Sequence, residues 1–318
     1  MNDLRINFNE NKEVWNLFVT NSSQCNIFSN SNFLDSLNIK YDLATCYFKD
    51  NIVCGAPILY DFDGSVRNKQ FPFTQYHGLL LAESGYKKSH SQITNEYKIT
   101  NFFIAEIVAK YKKICLSNSW HLNDLRPFQW FNYNNPEKGM FQIDLRYTGV
   151  LKLNKLNSLN DLLSEIRTVR RQEFNKSSIS LSFKFGDDVE ILDDLHKKTF
   201  ERQNIKRTFT DGALLKSISR RALDLGYGKI GFAYLKNEPV SAALFLYDKN
   251  SAYYLFGANH PDYRSLGSGT FVMVNMINDA IINSFSQVDF CGVNSPNRGD
   301  FKISFNAEIK PYFICSFK

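Results

Sequence analysis

No run of apolar residues in this 318-residue chain is long enough to span a bilayer. Its first residues, MNDLRINFNENKEVW, lack the apolar stretch of a secretory signal peptide. The six cysteines (Cys25, Cys46, Cys54, Cys115, Cys291, Cys315) form no C-x-x-C pair. Most lie among apolar neighbours, which reads as reduced core residues and not as a disulfide framework. No Cys/His cluster has zinc-site spacing, so no metal is expected. Low-complexity segments and sustained heptads are also missing, which sets aside long coiled coils. Charge of one sign is scarce: 38 Lys and Arg against 32 Asp and Glu leave +6. That excess is too mild for a nucleic-acid binder but suits an anionic small ligand. These absences predict a soluble cytoplasmic protein with no membrane and no stable nucleic-acid partner.

What is present is a folded composition. Hydrophobic residues make up 43% and charged residues 22%, and the length allows two domains of ordinary size. The first half reads as a short helix (32–37), β-like runs 41–48, 52–60 and 71–81, a long helix about 96–113, a strand 113–116 and an extended run 141–153. The second half reads as helices 160–175, 187–202 and 211–225. Three strands follow, 228–235, 238–247 and 252–259, separated by the turn residues Lys236-Asn237 and Asp248-Lys249-Asn250. A helix at 270–284 and a strand at 288–293 complete it. Both halves show the order helices, antiparallel meander, long helix, strand. The expected class is therefore α+β, with a duplicated fold divided as 1–154 and 155–318 and the linker near Lys152–Asn157.

Between the strand ending at Asn259 and the helix beginning at Thr270 lies Arg264-Ser265-Leu266-Gly267-Ser268-Gly269, an R-x-x-G-x-G turn. A glycine-rich turn at a helix N-terminus offers outward backbone N–H groups and the positive end of the helix dipole, and glycine lets a phosphate approach the backbone. By itself such a turn is more often structural. The preceding meander and the returning strand give it more weight.

The order strand, R-x-x-G-x-G, helix resembles the pyrophosphate loop of the GNAT acyltransferases. The runs Tyr254-Leu255-Phe256-Gly257-Ala258, Val288-Asp289-Phe290-Cys291-Gly292-Val293 and Phe301-Lys302-Ile303-Ser304-Phe305 resemble the Fem-type branch, as do Gln75-Tyr76-His77-Gly78 and 124–130 in the first half. The resemblance implies two tandem GNAT-like domains, each a mixed, mostly antiparallel sheet flanked by helices. It implies acyl-coenzyme A (acetyl-CoA or a hydroxyacyl-CoA) as co-substrate, held by the second domain, with the acceptor on the side of the first. Fem peptidoglycan enzymes draw on aminoacyl-tRNA through a degenerate loop. The intact loop here points instead to acyl-CoA and to a nucleotide-linked (dTDP- or UDP-) amino sugar used in O-antigen or lipopolysaccharide synthesis. An aminoacyl-tRNA-dependent transferase and a non-catalytic GNAT-scaffold binding protein are the other readings, and a homodimer is a compatible assembly.

Residue by residue, the resemblance assigns Phe256, Gly257, Ala258, Arg264, Leu266, Gly267, Ser268, Gly269 and Thr270 to the coenzyme. Lys302 matches the lysine that contacts acceptor phosphates in Fem-type enzymes, and Tyr254, Tyr76 and Arg126 join it on the substrate side. Acyl transfer to an amine needs a neutral amine, donors for an oxyanion and a departing thiolate. Asp289 is a base candidate on a strand whose burial would raise its pKa. Accepting structural hydrogen bonds is the competing role. His77 and His260 are further candidates, each against an ordinary packed histidine. Arg167, Arg170 and Arg171 share a helical face, which reads first as solvated and paired with Glu173. Phe128 and Trp130 read as core.

Overall fold

The computed structural model describes residues 3–83 and 88–318. Along the chain the elements are β1 (Leu4–Asn7), α1 (Lys12–Asn21), α2 (Ser31–Asp35), β2 (Tyr41–Phe48), β3 (Asn51–Leu59), β4 (Leu80–Leu81), α3 (Ser89–Tyr111), β5 (Ile114–Ser117), α4 (Arg126–Gln129) and β6 (Gln142–Lys152). They continue with α5 (Leu159–Glu165), α6 (Thr168–Ser177), β7 (Leu181–Gly186), α7 (Val189–Arg202), α8 (Phe209–Asp224), β8 (Gly228–Leu235), β9 (Glu238–Tyr247), β10 (Ser251–Asn259), α9 (Ser268–Ile282), β11 (Gln287–Asp289), α10 (Pro296–Ile303) and β12 (Glu308–Phe317).

Two compact units emerge, one formed by Met1–Arg146 with Pro311–Lys318 and the other by Tyr147–Lys310. This division differs from 1–154 and 155–318 in that it falls earlier and gives the last residues to the first unit. The cause is pairing: Ile314–Phe317 of β12 lie antiparallel to Ser117–Ile114 of β5. Cys315 and Phe317 accordingly sit in the first unit's core.

In the first unit β1, β2, β3 and β4 form an antiparallel sheet in chain order. Phe103, Ile104 and Ile107 of α3 pack into the same core as Ala44, Ile58 and Leu79. Helix α1 is not foreseen in the sequence reading, although its signal is there. The Asn11 side chain accepts from the N–H groups of Glu13 and Val14, and Trp15, Phe18 and Val19 are buried on one face. The run 71–81 is strand only at Leu80–Leu81. Phe73 is left-handed at φ 58°. The N–H groups of His77 and Leu79 go to Ser117 O (2.9 Å) and to Asn118 Oδ1 (2.9 Å), not to a strand ladder.

The second unit holds the sheet order β6, β11, β10, β9, β8, β7. Its meander β8–β9–β10 lies within one residue of the expected spans. β10 and β11 pair in parallel, and α9 makes the crossover between them. Phe271, Val274 and Ile277 of α9 share a buried cluster with Phe245 and Phe290. Each such side chain contributes roughly 1.5–3 kcal/mol of burial. The helix expected over 160–175 is two helices. Ile166 turns extended at ψ 154°, and the Arg167 N–H leaves the helical pattern for Ser304 O at 2.9 Å. The strand expected over 288–293 stops at Asp289, because Cys291 (φ 52°) and Gly292 (φ 93°) turn the chain. The α+β architecture itself is as expected, with mixed sheets flanked by helices.

Candidate active site

The site begins where two neighbouring strands part. β10 pairs with β11 at Ser251–Gln287, Ala252–Val288 and Tyr253–Asp289, and there β11 ends. β10 runs on to Asn259 with β9 on its other side. Successive strand residues turn their backbone groups to alternate sides. The His260 N–H reaches Val240 O at 2.9 Å, toward β9. The Asn259 N–H turns the other way, to Thr199 Oγ1 of α7 at 2.9 Å. Gly257, two residues earlier, faces the same way as Asn259. Its N–H and C=O therefore stand on the edge that β11 has left.

A β-bulge interrupts the β9–β10 register between Tyr254 and Phe256. The extra residue resets the alternation, so Tyr254 and Gly257 share a face although they are three apart. The Tyr254 phenol accordingly folds over Gly257, where an added Cβ would lie 1.7 Å from the hydroxyl oxygen. Burial raises the Tyr254 pKa, so the phenol stays protonated. Its ring has Phe245 at 5.6 Å, Phe290 at 6.3 Å and Lys302 Nζ at 5.3 Å.

Opposite it stands the tight turn after β11. Asp289, 1% exposed, accepts through Oδ1 from Thr148 Oγ1 (2.6 Å) and from the Cys291 N–H (2.8 Å). It therefore shapes the turn that ends the strand. Lys302 of α10 closes the turn from outside, its Nζ donating to Phe290 O (2.6 Å) and Gly292 O (2.8 Å). Lys302 is half-buried, and desolvation of its ammonium pushes its pKa down to about 8. Cys291 and Asp289 pull that pKa upward while Arg298 lowers it. A lysine near 8 can give up and take up a proton at neutral pH.

Beyond Asn259 the chain makes a 3-10 turn, Pro261–Leu266, and enters α9 through Gly267 in the left-handed conformation (φ 69°). No side chain caps α9, so the N–H groups of Ser268, Gly269 and Thr270 have no partner in their own helix. The Ser268 hydroxyl is fully buried without a partner. Arg264 is exposed beside this terminus. It lies near enough to Arg202 that its charge, after burial, helps lower the Arg202 pKa. Both glycines are also needed for packing. A Cβ at 267 would lie 2.9 Å from Ser177 Oγ, and one at 269 would lie 2.7 Å from Asn259 Oδ1. Helix α6 clasps the loop: Ser177 Oγ donates to Leu266 O (2.5 Å), and Thr270 Oγ1 donates to Glu173 Oε2 (2.5 Å). Arg170 bonds the same Glu173 at 2.7 Å.

The remaining predicted residues sort by unit. Phe256 and Ala258 are buried on β10; Ala258 O accepts from Ser241 Oγ at 3.0 Å. His260 sits between strand and loop, with Nδ1 buried and unpaired, 3.8 Å from Asp262. His77, Tyr76 and Arg126 belong to the first unit. His77 is 1% exposed, and burial pushes its pKa down to about 3, with Arg67 adding to the effect. Such a ring is a weak proton acceptor. Tyr76 is buried edge-to-face against Tyr312 at 5.5 Å. Arg126 is bound by both oxygens of Asp124, at 2.8 and 2.6 Å, and lies over Tyr97 and Trp130. Phe128 is core, but Trp130 is 49% exposed. The sequence reading missed Thr199, Ser177 and Thr148. Glu173, three residues after Arg170, was legible as a partner of the arginine face, and Arg170 does pair with it.

Comparison with known proteins completes this picture. Residues 163–302 match the family model described as an acetyltransferase (GNAT) domain. The core of the second unit is therefore similar to an acetyltransferase (GNAT) domain. None of the curated proteins matches the chain in sequence. Among solved structures, FemX is 12% identical with a TM-score of 0.66, covering 97% of this chain and 96% of its own. A conserved protein of unknown function from Bacteroides thetaiotaomicron is 11% identical at TM-score 0.61, covering 99% and 100%. A tandem GNAT protein from the clavulanic acid pathway is 10% identical at TM-score 0.53, covering 99% and 98%. These likenesses establish the fold, two GNAT-like domains in tandem. Among the described residues no cluster of His, Cys, Asp and Glu could hold a metal ion, and no helix is long and apolar enough to cross a membrane.

Proposed function

We propose that this protein moves an acyl group from acyl-coenzyme A to the amino group of a nucleotide-linked amino sugar, dTDP- or UDP-activated, in cytoplasmic surface-polysaccharide synthesis. The observation that carries the donor is the parted strand edge at Gly257 running directly into the uncapped N-terminus of α9. The thioester carbonyl takes the Gly257 N–H, the coenzyme follows the strand edge, and its diphosphate meets the free N–H groups at Ser268–Thr270 beside Arg264. The acceptor nitrogen attacks the thioester carbon, the C–S bond breaks, and the thiolate leaves as the thiol, taking the proton that Lys302 has removed from the amine. Lys302, poised near 8, takes the proton from the attacking amine, and Asp289 positions the turn that holds it. The amino-sugar acceptor rests on the sequence resemblance.

The test is thiol release from acetyl-CoA with a panel of nucleotide-linked amino sugars, with the product identified by mass. Release that depends on one such acceptor supports the reading. Release no faster than hydrolysis with every member contradicts it.

One observation favours a second reading, aminoacyl transfer from charged tRNA. Thr199 Oγ1 also donates to Asn259 O (3.1 Å), so both backbone groups of Asn259 are already paired. The coenzyme would have to displace that pairing, whereas a donor held elsewhere would not. Salt-sensitive retention of charged tRNA in a filter-binding assay would support this alternative.

A further inference from the structure

Tyr254 occupies space that the proposed reaction needs. The bulge after it brings it onto the face of Gly257, and its hydroxyl lies where the first carbon of any side chain at 257 would be. The ring spans the parting of the strands. It is anchored on β10 and β9 through Phe245, and it meets Phe290 and Lys302 on the far side. These neighbours flank the ring on both sides. The Lys302 ammonium over its face is itself held by two carbonyls, and a cation over an aromatic face is attractive.

We infer that Tyr254 sets the length of the transferred acyl group and restricts the donor to the shortest acyl thioesters, acetyl above all. This rests on the acyl-CoA reading of the same split. The Gly257–Tyr254 pair is the device: glycine lets the phenol lie flat on the strand, and the phenol closes the slot just past the carbonyl position.

Isothermal titration of coenzyme A, acetyl-CoA, butyryl-CoA and octanoyl-CoA into the full chain tests this without an acceptor. The wild type should bind acetyl-CoA at least about tenfold more tightly than butyryl-CoA, the scale set by added methylenes in a closed pocket. Tyr254→Ala should erase or invert that ratio. An unchanged ratio in the variant, or a wild type that prefers octanoyl-CoA, overturns the inference while leaving coenzyme A binding intact. Failure of coenzyme A itself to bind overturns the donor reading and this inference with it. A ligand-free check uses melting temperature. Gly257→Ala should be destabilised and Gly257→Ala/Tyr254→Ala should recover, whereas a Gly257→Ala variant as stable as wild type shows that the phenol does not lie there.

Discussion

The two units repeat one order of elements but treat the same junction differently. In the second, β10 leaves β11 after Tyr253, and the freed edge leads to Gly267 and α9. In the first, the corresponding segment before the long helix is closed against the strand that returns. The His77 N–H bonds Ser117 O, the Leu79 N–H bonds Asn118 Oδ1, and a Cβ at Gly78 would lie 2.4 Å from that same oxygen. A parted pair of strands is a binding slot only while its backbone groups stay unspent. The first unit has spent them on its own stability, and the second keeps them at Gly257.

The largest effects should come from filling either junction. Gly269→Val drives a side chain into the Asn259 amide, 2.7 Å from its Cβ position. It should raise the KM for acyl-CoA on the order of a hundredfold in steady-state kinetics. Gly78→Ala should instead cost roughly 1–3 kcal/mol of stability in urea melts, with KM for acyl-CoA unchanged. A reversal of these two outcomes would mean that the first unit, and not the second, holds the open slot.

Next come single bonds. Asn118→Ala strands the buried Leu79 N–H and should cost about 1–3 kcal/mol. Asp289→Asn keeps an acceptor for Thr148 and Cys291. It should leave kcat within a few-fold of wild type, as expected of a positioning residue and not of a base. A collapse of kcat in Asp289→Asn would make the carboxylate itself the proton acceptor.

Titration sharpens the contrast further. If Lys302 takes the proton from the amine, kcat rises with pH through about 8, and Lys302→Met flattens that limb. Acid stability supplies the last contrast. His77 and His196, one in each unit, have folded pKa values lowered by burial to about 3 and about 4. Between those values and the ordinary 6.5 the unfolded chain binds protons that the folded chain refuses. Stability is therefore full above 6.5 and falls as pH drops, by up to about 1.4 kcal/mol per pH unit for each histidine. His77→Gln should lessen that slope between pH 6 and 4 and leave the His196 share.

Much of the second unit was legible because its signals are local. Lys236-Asn237 and Asp248-Lys249-Asn250 mark the meander's turns, and glycines mark the entry to α9. The illegible parts depend on distant partners. Nothing in 71–81 tells that Asn118 will replace a strand partner, and nothing in 288–293 tells that Cys291, a residue without preference for positive φ, will turn the chain. The loop was readable as a motif, but its packing was not. Gly267 and Gly269 answer to Ser177 and Asn259, contacts set by tertiary placement. Tyr254 was named for the substrate side on resemblance; its fold-back over Gly257 follows from the bulge, which no residue type in the strand announces.

Binding stoichiometry separates the two units most directly. Titrating acetyl-CoA into the full chain should give one site per chain, lost in Gly269→Val and retained in Asn118→Ala. No binding, or two sites per chain, would contradict the claim that the second unit alone keeps its slot open.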